Sequence, residues 1–311
     1  MNKATNKLSA PLAIAALACG LIAANVAGQP LEKAKPQTVS LGIISEIDRA
    51  QIADHFSDFV RYLASKLTSA SDIEGKIVIA PTPFQLAKLI EQKKVDFYMD
   101  SAYPTSLINN VHGVARLMLR RRKGGMAEYR SLIFTKRTGE ITRLEDLKGK
   151  LFAFEDPEST SGYFLPKSFL SQKGFKFTDK SRFDPYASPR DVGYRFAYSQ
   201  KKLLDWVLSK RAEAGAFSDD DFARLEENKR ADIAILARTQ PLPRHFISVR
   251  NDFAAVLANR LEKVLLSMHE NDQGRHILKK ADDTTKFDRL PEGDSGLRRR
   301  LAAIFHSAEK N

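Results

Sequence analysis

The sequence predicts an α/β protein of two lobes, each a mainly parallel sheet flanked by helices, with a ligand cleft between them. Three observations lead there. Apolar strand-like runs alternate with amphipathic helical patterns from residue 39 to residue 99. The runs are apolar throughout, as in a parallel sheet covered on both faces. The alternation resumes near residue 151 before the chain returns, so the second lobe is inserted into the first. The expected boundaries are 37–123 with 238–311 for the first lobe, and 124–237 for the second.

Residues 39–44 are the first expected strand. Asp48 can cap the following helix, in which Ile52, Phe56, Phe59, Leu63 and Leu67 recur every three or four positions. Residues 76–80 form the next strand, Pro81 to Pro83 a turn, and Leu86, Leu89 and Ile90 one face of a helix. The third strand, 95–99, is closed by Asp100, Ser101, Ala102 and Tyr103. Strands at 115–120 and 129–136 are separated by Gly124-Gly125, and a helical turn at 144–150 leads into a strand at 151–154. Beyond it the pattern predicts a helix over 162–172, a strand at 182–186 and a long helix carrying Phe196, Leu203, Leu204, Val207 and Leu208. A helix at 219–225, strands at 232–236 and 246–249 around a crossing at Pro241 and Pro243, and helices at 253–268 and 296–305 complete the chain. The link at 284–294 reads as irregular.

Composition narrows the function. With 311 residues, 43% hydrophobic and 28% charged, the chain is globular and long enough for two ordinary domains. Its single cysteine, Cys19, lies in the N-terminal apolar run, which excludes disulfides, thiolate catalysis and cysteine zinc sites from the body. The six histidines lack metal-ligand spacing, so no metal is expected. The net charge of +12 suits an anionic ligand or an anionic membrane surface, and serves solubility equally well. Nucleic acid is not expected: Arg120-Arg121-Arg122-Lys123 and Arg298-Arg299-Arg300 have no interleaved stacking aromatics.

Lys3 and Lys7 precede an uncharged apolar run at 8–27, closed by Pro30, Glu32 and Lys33. The pattern predicts a signal peptide over residues 1–28, cleaved near Ala27 or Gly28. Lipid attachment at Cys19 and retention as an uncleaved membrane anchor are the alternatives.

The motif that carries most chemistry follows the strand at 151–154. The chain breaks at Asp156-Pro157, and Ser159, Thr160, Ser161 and Gly162 then precede a helical pattern. Such a corner can gather donors around an anion, and it can equally be an ordinary helix cap. The run at 141–166, ITRLEDLKGKLFAFEDPESTSGYFLP, resembles the periplasmic solute-binding proteins of phosphate, phosphite and phosphonate ABC transporters. The specific part is DPESTSG with its following proline; the LEDLKGK segment is shared more widely among two-lobed binding proteins. FVRYL at 59–63, the segment from Val95 to Tyr103, and Ile235-Leu236 with Pro241-Leu242-Pro243 extend the likeness over most of the body.

The resemblance implies a type II periplasmic binding protein fold, without enzymatic activity, cofactor or metal. It implies that Ser159, Thr160, Ser161 and Gly162 grip the oxyanion, with Tyr103, Ser101 and Phe84 on the facing rim. The implied partners are a small oxyanion of the phosphonate, phosphite or phosphate class and an ABC transporter permease, with the protein monomeric and periplasmic. Relatives that bind aminophosphonates carry histidine and acidic residues where this chain has Tyr198-Ser199-Gln200-Lys201, so a ligand without an amine fits better. Neutral donors at a helix start can hold a dianion, so no arginine is required. A second reading keeps the cleft but makes capture a signal to a membrane sensor kinase or receptor.

Enzyme motifs are weak. Gly293-Asp294-Ser295-Gly296 resembles a protease nucleophile loop but has no histidine partner motif, and reads as a helix cap. Asp219-Asp220-Asp221 lacks the alternation of a calcium loop and reads as a solvated helix start.

Overall fold

A computed structural model describes residues 37–45, 49–67, 73–181 and 188–309. The expected signal peptide, Cys19, the Asp48 cap and the strand at 182–186 lie outside the described residues.

The first lobe begins with β1 (Gln37–Ile44), α1 (Arg49–Leu67), β2 (Ile73–Ala80), α2 (Pro83–Glu91) and β3 (Phe97–Asp100). Strands β2 and β3 both pair in parallel with β1. Helix α1 buries Phe56, Phe59, Leu63 and Leu67 in the main core with Leu41, Phe97 and Met99, the face its apolar spacing predicts. Helix α2 starts at the Thr82 hydroxyl, which accepts the Gln85 N–H, with Pro83 where no backbone donor is needed. Short α3 (Ala102–Ser106) and β4 (Ala115–Lys123) follow, and the chain leaves through β5 (Glu128–Tyr129).

The second lobe holds β6 (Ser131–Lys136), β7 (Leu151–Phe154), α4 (Leu165–Gln172), β8 (Phe177–Asp179), β9 (Val192–Phe196), α5 (Gln200–Leu208), β10 (Ala214–Ser218), α6 (Asp219–Arg224), α7 (Glu227–Ala231) and β11 (Ile233–Arg238). The chain returns through β12 (Leu242–Pro243), which pairs antiparallel with β5, so the outgoing and returning segments form one small ribbon. It ends with β13 (His245–Arg250), α8 (Ala255–Ser267), α9 (Asp272–Lys280), β14 (Thr284–Arg289) and α10 (Gly293–Glu309).

Two six-stranded sheets result, ordered β14-β4-β13-β3-β1-β2 and β11-β6-β10-β7-β9-β8. The parallel character expected from strand–helix alternation holds among β1, β2 and β3, and among β7 to β10. Antiparallel pairs enter with β4, β13 and β14 in one sheet and β6 and β11 in the other, where the chain leaves and re-enters each lobe.

Some elements differ from expectation. Phe196 ends strand β9, and α5 begins only at Gln200, where the Ser199 hydroxyl caps it by accepting the Lys202 N–H. Strand β10 is Ala-Gly-Ala-Phe-Ser and fully buried; a Cβ on Gly215 would lie 2.9 Å from Leu203 of α5, so this central strand needs small residues. The irregular link contains β14, whose charged residues meet the basic run: Arg120 and Arg122 of β4 both pair with Asp288, at 3.5 and 2.5 Å. Asp294 accepts the Leu117 N–H at 3.0 Å and so ties α10 to β4. Among the described residues no helix is long and apolar enough to cross a membrane, and no cluster could hold a metal ion.

Candidate functional site

The corner after β7 is built by its own hydrogen bonds. The Ser159 hydroxyl accepts the Gly162 N–H at 2.9 Å and donates to Glu155 Oε2 at 2.7 Å. A wide helical turn, Thr160–Phe164, runs from this cap into α4. A Cβ on Gly162 would sit 2.5 Å from the Glu155 Cβ, so the glycine allows the cap to close on its strand. Ser159 and Gly162 therefore shape the corner through bonds internal to it.

Thr160 and Ser161 face outward from that frame. Thr160 Oγ1 accepts the Tyr103 N–H at 2.9 Å and lies 2.9 Å from Ser101 Oγ, joining the second lobe to the turn after β3. The Ser161 carbonyl accepts the Ser131 hydroxyl at 2.6 Å, while the Ser161 hydroxyl has no partner among the described residues. Ser101, Ser159, Thr160 and Ser161 line one cavity of about 300 Å³ with Asp100 and Arg244. Lys123 and Tyr129 complete its floor at the crossing.

Arg244 is the residue that sequence reasoning missed. It follows β12, where its N–H donates to the Ala127 carbonyl, and it is only 7% exposed. Its Nη2 pairs with Asp220 at 2.9 Å, and its guanidinium lies 5.1 Å from the centre of the Tyr129 ring. Its Nε and Nη1 are buried without an acceptor among the described residues. Buried donors left unpaired are rare because each costs its full desolvation. Asp220 also accepts Arg224 at 2.7 Å, so the aspartate run is no solvated helix start; its middle member is a buried counter-ion.

Burial sets the protonation of this cavity. It pushes the Asp100 carboxyl up to about 7, although hydrogen bonds from the Ser101 N–H and hydroxyl and the charge of Arg121 act against it. Burial, then the charges of Arg121, Lys123 and Arg244, hold His245 well below its ordinary range, so this imidazole is neutral. Burial raises the Tyr129 phenol against the opposing effects of Arg244 and Thr160. Asp100 and His245 also line an adjoining cavity of about 390 Å³ that reaches His55, Phe56 and Arg121. Arg121 and Lys123 share Asp282, at 3.1 and 2.8 Å.

Two other expected residues lie elsewhere. The Tyr103 ring stacks on Phe164, 4.4 Å between centroids, and touches Phe305 of α10, so its aromatic face lies in the apolar cluster behind the corner. Phe84 is 64% exposed and rests against His112, apart from the residues lining the cavity.

The fold and this cavity can be set beside known proteins. Residues 41–292 match the family described as "ABC transporter, phosphonate, periplasmic substrate-binding protein". The chain belongs to this family. Members of this phosphonate-binding family are periplasmic substrate-binding components of ABC transporters, not enzymes. XAC2383 from Xanthomonas citri bound to chloride ion is similar at TM-score 0.79 and 26% identity, over 88% of this chain and 98% of that one. XAC2383 bound to ATP gives 0.77 and 25%, over 88% and 98%. PhnD1 from Prochlorococcus marinus in complex with methylphosphonate gives 0.64 and 16%, over 89% and 100%, a likeness of fold that marks the type II periplasmic binding architecture.

Proposed function

We propose that this family member captures a small phosphorus oxyanion, of the phosphonate, phosphite or phosphate class, between its lobes and delivers it to an ABC transporter permease. The observation that carries the reading is that two buried Arg244 donors, Nε and Nη1, have no acceptor among the described residues, in the same cavity as the Ser161 hydroxyl. Nε and Nη1 lie on different edges of the guanidinium, the Nε edge being shared with the Nη2 that Asp220 holds, so Arg244 can turn one charge-assisted donor at a time to an anion oxygen. Each charge-assisted bond contributes roughly 1.5–3 kcal/mol, so one from Arg244 and one from Lys123, with the Ser161 hydroxyl and the helix start, bring about micromolar affinity within reach. The chloride and ATP bound by XAC2383, both anions, support an anionic ligand.

In this reading Ser161, Arg244 and Lys123 hold the anion, and Thr160 closes the cleft through Ser101 and Tyr103. Ser159 and Gly162 keep the corner in shape. The paired segments β5 and β12 are the hinge, so Arg244 sits where closure would bring both lobes onto the ligand. The test is calorimetry with phosphate, phosphite, alkylphosphonates, sulfonates and carboxylates. Binding of at least one phosphorus oxyanion is expected, and binding of none removes the reading.

A further inference from the structure

The cavity at the Ser159 corner continues into the first lobe. Ile44, Asp100 and His245 line both it and the adjoining cavity of about 390 Å³. Among the described residues, the lining of this second cavity comes from β1, the start of α1, the end of β3, β4, the start of β13 and Asp282, all in the first lobe. Ile43, Ile52, Phe56 and Met99 form its apolar wall, and Gln51 and His55 its polar edge. Ile52 and Ile44 stay partly uncovered at the margins of two separate apolar clusters. A water's share of the liquid is about 30 Å³, so the space takes about a dozen non-hydrogen atoms. Ser161 lines only the first cavity, so a phosphate or methylphosphonate held there leaves the second one unused.

We infer that the second cavity receives a neutral, ring-sized substituent carried by the phosphorus group, so that the captured ligand is an organic phosphonate or phosphate monoester rather than phosphate or phosphite. The inference rests on the oxyanion-capture reading above and narrows its ligand. The headgroup stays at the corner shared by the two lobes, and the first lobe alone holds the substituent.

Charge decides against a second ionised group. Arg121 lines the cavity from β4, but Asp282 pairs with it at 3.1 Å and its Nε donates to Thr284 at 2.7 Å. A second anion would therefore meet the Asp100 carboxyl and a guanidinium already neutralised. An ammonium meets the opposite field, because the charges of Arg121, Lys123 and Arg244 that oppose a proton on His245 also repel any other cation there. A neutral group meets neither repulsion, and its apolar faces leave water against Ile43, Ile52, Phe56 and Met99. One hydrogen-bonding atom stands at the junction of the cavities: His245 Nδ1 is buried without a partner among the described residues. In the neutral imidazole this nitrogen donates in one tautomer and accepts in the other, so a polar atom on the ring edge can satisfy it.

The test is calorimetry with phosphate, methylphosphonate, phenylphosphonate, 2-aminoethylphosphonate and 3-phosphonopropionate. The wild type is expected to bind phenylphosphonate about 30-fold or more tighter than methylphosphonate or phosphate, since a single methylene in an apolar site already discriminates about tenfold or more. The ligands with a charged chain should bind no tighter than methylphosphonate. Ile52→Trp fills the second cavity from α1, and the preference for phenylphosphonate over methylphosphonate should then fall below about threefold. This ratio is read within one protein, so a general loss of affinity does not move it. Should that variant fold poorly, His55→Trp fills the same space from the next turn of α1 and should collapse the ratio likewise. Wild-type binding of methylphosphonate or phosphate as tight as that of phenylphosphonate overturns the inference while leaving capture intact. So does an unchanged ratio in the folded variant, or a preference of about tenfold for either charged-chain ligand over phenylphosphonate. Failure to bind any phosphorus oxyanion overturns both.

Discussion

The Thr160 hydroxyl accepts the backbone N–H of Tyr103 at 2.9 Å and meets Ser101 Oγ at the same distance. Thr160 begins the helical turn of the second lobe, whereas Ser101 and Tyr103 follow the carboxyl end of β3 in the first. Behind this contact Phe164 and Leu165 pack with Phe305 and Leu301 of α10, and Ser168 donates to the Ile304 carbonyl at 2.8 Å. The polar contact faces the cavity and the apolar one lies behind it, so the two together hold the lobes at one angle.

Thr160→Val keeps the side-chain shape and removes the hydroxyl, leaving the Tyr103 N–H without its acceptor. A lost hydrogen bond with one partner stranded costs about 1–3 kcal/mol. Methylphosphonate affinity measured by calorimetry should therefore fall about tenfold, and further with Ser161→Ala, while circular dichroism is unchanged. Wild-type affinity in the double variant would move the site elsewhere.

Arg244→Met fills the space beside Tyr129 and removes both unpaired donors, and Asp220 keeps Arg224 as its counter-ion. Removing a charge-assisted bond of roughly 1.5–3 kcal/mol should weaken methylphosphonate about tenfold or more. Arg244→Lys should recover only part of it, because a strongly hydrated ammonium replaces the planar guanidinium that Asp220 and the Tyr129 ring hold in place. Full recovery by lysine would show that charge alone matters.

Gly162→Ala puts a methyl 2.5 Å from the Glu155 Cβ and 2.8 Å from Ser159 Oγ. Neither neighbour can retreat without breaking the cap, so overpacking should cost about 1–3 kcal/mol. The melting temperature should drop by roughly 2–4 °C per kcal/mol for a domain of this size. Ser159→Ala should lower it through loss of the cap with a smaller effect on ligand affinity than Ser161→Ala has.

Much of the fold was legible because its strongest signals are local. The Phe56, Phe59, Leu63 and Leu67 stripe, the Thr82-Pro83 helix start and the apolar strands β1 and β7 each follow from a few neighbouring residues. Strand β10 was not legible, since Ala-Gly-Ala carries no strand preference and is small only because α5 lies so close. The corner at Ser159 to Gly162 was visible, but the division of labour within it depends on which hydroxyls Glu155 and Tyr103 engage. Arg244 is one of 50 lysines and arginines and looks like any other until the pairing of β5 with β12 buries it. Its position just after Pro241 and Pro243, at a chain crossing, was the one available sign.

The Asp100 carboxyl, which lines the cavity beside this corner, leaves a mark on the ligand-free protein. Burial keeps Asp100 protonated up to about 7, against an ordinary value of 3.8, and burial also raises Glu155 despite its bond from Ser159. Between those limits the folded state binds more protons than the unfolded one, so stability is greatest below about pH 4 for this group and falls as pH rises towards 7. A rise of that size corresponds to at most about 4 kcal/mol for the Asp100 share. Urea unfolding of ligand-free protein between about pH 5 and pH 8 should show Asp100→Asn losing less stability with rising pH than the wild type. The variant should be the more stable of the two at the alkaline end, since its amide is never charged. Parallel profiles for the two proteins would mean that Asp100 is ionised at neutral pH without cost, and the buried acid would have to be sought at Glu155.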